Sequence, residues 1–169
     1  MRGLVTERLA AEPLELERHE EELAALHADP RVMATMGGET ATPAESREWI
    51  ERNLAHAEDD GLGIFVFREQ DTGRFVGRGA IRRIEIGGEV GVEVGYALAY
   101  EALGQGYATE MAAVLAEHAE AHGHGPLIAY TEPTNFASRR VLEKVGFEYE
   151  RDVVHHERGQ ALYRRKGAA

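Results

Sequence analysis

Gly87-Gly88 sits between two runs of alternating apolar residues, and that pair constrains this chain more than any other feature. A two-residue glycine loop closes a tight hairpin and fixes the register of both flanking strands. Upstream, residues 74 to 86 read as a strand; downstream, residues 89 to 100 read as its partner. The compact apolar run from Leu62 to Glu69 supplies another strand, joined through the turn signal Asp71-Thr72-Gly73. The middle of the chain is therefore an antiparallel block of three strands.

The flanks are mixed. Residues 4 to 12 read as a first strand. His19 to Asp29 reads as a short helix, stopped at Asp29-Pro30 because a residue before proline avoids helical backbone. Thr42, Pro43 and Glu45 mark the next helix start, and Trp49, Ile50 and Leu54 give it an apolar stripe. After the block come a helix over about 106 to 122, a short buried strand over 126 to 132, and a helix over 135 to 145. Gly146 suits the C′ position of that helix, with Phe147 placed to pack back on it. Residues 147 to 157 and 160 to 165 close the chain as a hairpin turning at Arg158-Gly159. The order is strand, two helices, three strands, helix, strand, helix, hairpin. This α+β pattern has one central crossover, from the fourth strand through the third helix to the fifth strand.

With 169 residues, the chain is expected to form a single domain over 1–169 with a substantial core. No apolar run reaches the roughly 20 residues of a membrane span, and the N-terminus lacks a signal-peptide core. A cytoplasmic protein with no membrane partner is expected. There are no cysteines, which excludes disulfides, thiolate zinc clusters and a cysteine nucleophile. A net charge of −11 argues against a nucleic-acid partner. It aids solubility and suits a cationic substrate such as an amine. A homodimer is compatible with the sequence, but nothing in it calls for one.

The strand-to-helix junction carries the first functional signal. Gly104, Gly106 and Ala108 alternate with larger residues just before an alanine-rich helix. A helix N-terminus offers unpaired N–H groups and a partial positive charge. Small residues at alternate positions let a phosphate reach those groups without meeting a Cβ. An ordinary glycine turn reads the same from this segment alone. A dinucleotide fold fits poorly, because its glycine motif opens the first crossover of a domain; here the turn follows three antiparallel strands.

Leu103-Gly104-Gln105-Gly106-Tyr107-Ala108 resembles the R/Q-x-x-G-x-G/A pyrophosphate loop of the GCN5-related N-acetyltransferases (GNAT). Residues 91 to 111 as a whole resemble the strand-loop-helix of that family's ribosomal-protein N-terminal acetyltransferase branch. Asn135 to Ser138, followed by Glu143-Lys144-Val145-Gly146-Phe147, resembles the branch's N-x-x-S…E-K-x-G-F helix, and residues 6 to 9 resemble its opening strand. The likeness covers nearly the whole chain in order. It implies the GNAT fold: a largely antiparallel, twisted sheet of about 6–7 strands with about four helices. It also implies acetyl transfer from acetyl-CoA to an amine acceptor, either a protein N-terminus or a small molecule, without a metal. The residues it assigns to the coenzyme are Val94, Gly104, Gln105, Gly106, Tyr107, Ala108, Thr109, Asn135 and Ser138. Two positions depart from the pattern. Leu103 replaces a polar residue near the phosphates, and Leu142 stands where many members carry a tyrosine acid.

Direct attack by an amine needs a base, since an α-amino group titrates near ~8 and a lysine near ~10.4. Glu93 is the candidate. It shares a strand face with Gly91, Gly95 and Ala97, so it is expected among small neighbours facing open space, as in a substrate cleft. A solvated surface carboxylate is the other reading. The resemblance gives the oxyanion donor as the Val94 N–H, which glycines at 91 and 95 would help to free. Asn135 reads as an N-cap and, by resemblance, as a pantetheine contact. Ser138 could protonate the leaving thiolate or be a surface serine. Tyr96 and Tyr107 read as packing or gating residues. His118, His122 and His124 lack the H-E-x-x-H spacing and read as solvated residues at a helix end. His155 and His156 are expected on opposite faces of a strand.

Overall fold

The computed structural model describes residues 3–56 and 60–167. Eight strands form one sheet: β1 (Leu4–Val5), β2 (Leu9–Pro13), β3 (Gly63–Glu69), β4 (Phe75–Ile86), β5 (Glu89–Leu98), β6 (Leu127–Thr131), β7 (Glu148–His155) and β8 (Arg158–Arg165). Their spatial order is β1-β2-β3-β4-β5-β6-β8-β7. Every neighbouring pair is antiparallel except β5 and β6. The helices are α1 (Leu16–Ala28), α2 (Pro30–Met33), α3 (Pro43–Ala55), α4 (Tyr107–Ala121) and α5 (Phe136–Lys144). The crossover is β5-α4-β6, as the residue order required.

Local chemistry sets the boundaries. The expected first strand is two strands, because Thr6 makes a turn: its Oγ1 accepts from Leu9 N–H at 2.9 Å. Helix α1 begins three residues earlier than expected, since Glu15 N–H donates to the buried His19 Nδ1 at 2.9 Å. The unforeseen α2 starts at Pro30, where the Asp29 side chain accepts from Arg31 N–H. Helix α3 carries the full capping box of Thr42 and Glu45. The last hairpin turns at His156-Glu157, not Arg158-Gly159. His155 pairs with Arg158, and both loop residues take positive φ of 47° and 63°. The hairpin's right-handed twist demands that conformation even without glycine.

Two apolar layers hold the sheet. On one face, α4 and α5 bury Met111, Leu115 and Leu142 against Phe65, Phe67, Ile81, Val94 and Tyr163. On the other, α1 and α3 bury Leu23, Leu26 and Ile50 against Ile64, Val66, Ala80 and Ala97. Glu93 belongs to this second face, across the sheet from α4.

Candidate active site

The site grows from the parallel pair in the sheet. Strands β5 and β6 are in register only at Val92–Leu127 and Glu93–Ile128. From Val94 to Leu98, β5 continues to pair with β4 but has no strand partner on its other edge among the described residues. Main-chain polar groups along that edge are left for a ligand. Val94 lies immediately past the last pair, its side chain buried toward α4.

At the far end of β5 the chain makes a 3-10 turn (Tyr100–Ala102) and reaches the glycine loop. Gly104 and Gly106 have φ of 74° and 81°, in the left-handed region that favours glycine. Gly106 is the N-cap of α4 and brings no side chain to it. The first intrahelical bond runs from Glu110 N–H to the Gly106 carbonyl. The N–H groups of Tyr107, Ala108 and Thr109 are thus unused by the helix. A Cβ built on Gly104 would meet nothing within 4 Å, so the loop is open on that side.

Arg8, from the turn between β1 and β2, braces this loop from behind. Its Nη1 donates to the Gln105 carbonyl at 2.8 Å, its Nε donates to Glu110 Oε2 at 2.9 Å, and its guanidinium lies 4.5 Å from the Tyr107 ring centroid. Glu110 also accepts from Thr6 Oγ1 and Arg8 N–H. Tyr107 points away from the loop and donates to Glu69 Oε1 at 2.8 Å. Hydrogen bonds from Arg74, Thr72 and Tyr107 hold Glu69 at about 2. Only the backbone of Tyr107 is therefore free for a ligand. Gln105 turns its amide to the Glu101 carbonyl at 3.1 Å. Sequence reasoning missed Arg8; its sole trace there was its place in the Thr6–Leu9 motif.

Glu93 departs from expectation. It is neither a solvated surface charge nor surrounded by open space: it is 6% exposed, and its Oε2 accepts from Arg82 Nε at 2.6 Å. The small neighbours are filled. The side chain of Ile128 lies where a Cβ on Gly91 would sit, at 2.7 Å. Glu93 Oε1 itself lies 2.9 Å from the position a Gly95 Cβ would take. One carboxylate oxygen is therefore anchored and the other leans along the strand over Gly95. Tyr130 and His155 flank the pair, their rings 5.0 Å apart. Burial, with Glu93 adding to it, pushes Tyr130 up to about 12. Burial and neighbouring His156 lower His155.

On the opposite face, α5 brings Ser138 to β5. Asn135 caps α5, its Oδ1 accepting from Ser138 N–H at 3.1 Å. Ser138 Oγ lies 2.9 Å from Tyr96 OH. Burial pushes Tyr96 up to about 12, with the Ser138 bond working against it, so Tyr96 is a neutral phenol at physiological pH. Tyr96 is therefore more than packing, and its hydroxyl contact could not be read from the sequence. Leu142, one turn beyond Ser138, is fully buried and faces the core.

The histidines lie elsewhere. His118 is half-buried, edge-on to Phe65 at 5.4 Å, rather than solvated, while His122 ends α4 and His124 bonds the Asp60 carbonyl. His156 is a turn residue and not on a strand face. Among the described residues, no group of three or more His, Asp or Glu could hold a metal ion.

The sheet splays beside a glycine-opened helix, with a carboxylate on one face and a hydroxyl pair on the other. Residues 8–148 match the acetyltransferase (GNAT) domain, and the chain belongs to that family. It is 29% identical over 164 residues to the uncharacterised protein YkkB of Bacillus subtilis, covering 96% of this chain and 95% of that one. Among solved structures, an acetyltransferase from Agrobacterium tumefaciens superposes with a TM-score of 0.81 at 27% identity, covering 97% and 94% of the two chains. A ribosomal L7/L12 alpha-N-protein acetyltransferase in complex with coenzyme A shares the fold, with a TM-score of 0.79 at 16% identity over 98% of each chain.

Proposed function

We propose that residues 1–169 form one acetyltransferase domain that transfers an acetyl group from acetyl-CoA directly to a primary amine. The observation that carries this reading is the divergence of β5 from β6 just past Glu93, in line with the unused N–H groups at the start of α4.

The residues fit the coenzyme. The open side of Gly104 and the amides of Tyr107, Ala108 and Thr109 suit a pyrophosphate, assisted by the α4 dipole. Backbone groups do this work, so the exposed Leu103 weakens the site without abolishing it. Asn135 keeps its Nδ2 for a pantetheine carbonyl while Oδ1 caps α5. The coenzyme supplies the acetyl group as a thioester. Glu93, with Oε2 fixed by Arg82, takes a proton from the attacking amine through Oε1 or an intervening water. Val94 N–H stabilises the developing oxyanion on the free edge of β5. As the carbon–nitrogen bond forms and the carbon–sulfur bond breaks, the hydrogen-bonded Ser138 and Tyr96 hydroxyls deliver a proton to the thiolate. This pair fills the role that Leu142 cannot.

Thermal unfolding with acetyl-CoA, coenzyme A and NADH in parallel tests the coenzyme half of the reading. A ligand at 100 times its Kd adds about 2.7 kcal/mol, or roughly 5–10 °C for a domain of this size. A shift with both coenzyme A forms and none with NADH is expected. Thiol release on an amine panel, with Glu93→Gln as control, tests the transfer. Binding without turnover on any amine would instead favour a non-catalytic acyl-CoA sensor, a reading that Leu103 and Leu142 motivate.

A further inference from the structure

Arg78 lies on the same face of the sheet as Glu93, paired in register with Ala97 on β5. It is 8% exposed. Its only hydrogen bond among the described residues runs from Nε to His27 Nε2 at 3.3 Å, and its guanidinium stacks 4.4 Å from the Trp49 ring centroid. Neither Nη nitrogen has a hydrogen-bond partner among the described residues, and no carboxylate there forms an ion pair with it. Buried arginines normally face carboxylates, because an unpaired charge in a low-dielectric recess is poorly solvated.

The surroundings hold Arg78 in place but do not neutralise it. Trp49 comes from α3 and edges against His27 of α1 at 5.0 Å. His27 accepts from Arg78 through Nε2, so its Nδ1 carries the hydrogen and donates to Ser46 Oγ at 2.8 Å. Arg82, four residues along β4, already spends its charge on Glu93. The neighbouring Arg78 and Arg82 thus set two guanidiniums against the single Glu93 carboxylate, in a chain whose overall charge is −11. Between Glu93 and Arg78 along the strands lie only Gly95 and Ala80. A single small pair, Ala80 and Gly95, thus separates the Glu93 carboxylate, which leans over Gly95, from the unpaired guanidinium.

We infer that Arg78 is a specificity-determining residue that binds a carboxylate carried by the acceptor amine, so that preferred acceptors are amino acids or acidic peptide N-termini, not simple amines or polyamines. A planar fork on a rigid stack suits a carboxylate's two oxygens. This inference rests on the N-acetyltransferase reading for the identity of the ligand, though not for the anion site.

Product-like probes test it without requiring turnover. N-acetylalanine is compared with N-acetylalanine amide, and N-acetylaspartate amide with N-acetylasparagine amide, by thermal shift and calorimetry in the presence of coenzyme A. The first pair probes an α-carboxylate and the second a side-chain carboxylate. In the wild-type protein the acid of at least one pair should bind roughly tenfold to hundredfold more tightly than its amide. Arg78→Met keeps the packing on Trp49 and should bring that ratio close to one, and Arg78→Lys should fall between. The wild-type ratio stands by itself if a variant fails to fold. Acids binding no better than amides in both pairs, or a ratio unchanged in a folded Arg78→Met, overturns the inference. Failure of coenzyme A to bind in the same experiment would instead overturn the acetyltransferase reading.

Discussion

Lowering the pH from 7.5 to 5 should destabilise this protein, and His27 should account for a large part of the loss. His27 is 4% exposed and wedged between Ser46 Oγ and the Arg78 guanidinium. Burial first, and Arg78 second, lower it to about 4. In the unfolded chain it titrates near ~6.5. Its folded pKa lies below its unfolded one, so between these values the unfolded state binds the extra proton and stability falls with pH. The full separation corresponds to about 3 kcal/mol, of which about 2 kcal/mol is lost by pH 5. Protonation would place an Nε2 hydrogen against the Arg78 Nε hydrogen, which is the structural reason for the resistance. His118 and His155 are also lowered and titrate in the same direction, so the wild-type slope is not His27's alone. His27→Gln isolates it, since glutamine keeps an acceptor and cannot titrate. Urea unfolding of both proteins at the two pH values should show the variant losing about 2 kcal/mol less. Equal losses, within about 0.5 kcal/mol, would mean that His27 is not held neutral by burial beside Arg78.

Glu93→Gln should lower kcat by roughly 10²–10⁴-fold with little change in coenzyme A affinity, measured by steady-state thiol release and calorimetry. Tyr96→Phe and Ser138→Ala should each slow turnover, and the double variant should lose less than the product of the two effects, because the hydroxyls share one bond. Gly95→Ala puts a methyl group 2.9 Å from Glu93 Oε1 and should reduce turnover more than stability, read by comparing kcat with Tm. Arg8→Met removes the brace on Gln105 and Glu110, and should raise the Kd for coenzyme A roughly tenfold by calorimetry while leaving the KM for the amine unchanged.

Much of the molecule was written into its residue order. The Gly87-Gly88 hairpin, the capping box of Thr42 and Glu45, and the Gly146 stop with Phe147 folded back onto Leu142 are local devices. Each acts within a few residues, so a linear reading recovers it. Gly104 and Gly106 belong to the same class, because a left-handed turn before a helix needs glycine wherever the rest of the chain lies. Alternation along β5 correctly separated Glu93 from Val94 and Tyr96. It could not show what stands opposite. Arg82 reaches Glu93 only through the β4–β5 register, and Ile128 covers Gly91 only because β6 arrives after a crossover. Tyr96 meets Ser138 across 42 positions, Arg8 meets Glu110 across 102, and Arg78 meets His27 and Trp49 from two helices. Most of the elements and the glycine loop were legible in the sequence, because backbone conformation and periodicity are local; α2 and the split of the first strand were not. Which side chains share a proton, brace the loop or leave a guanidinium unpaired was decided by tertiary packing, because those contacts depend on distances that spacing along the chain does not encode.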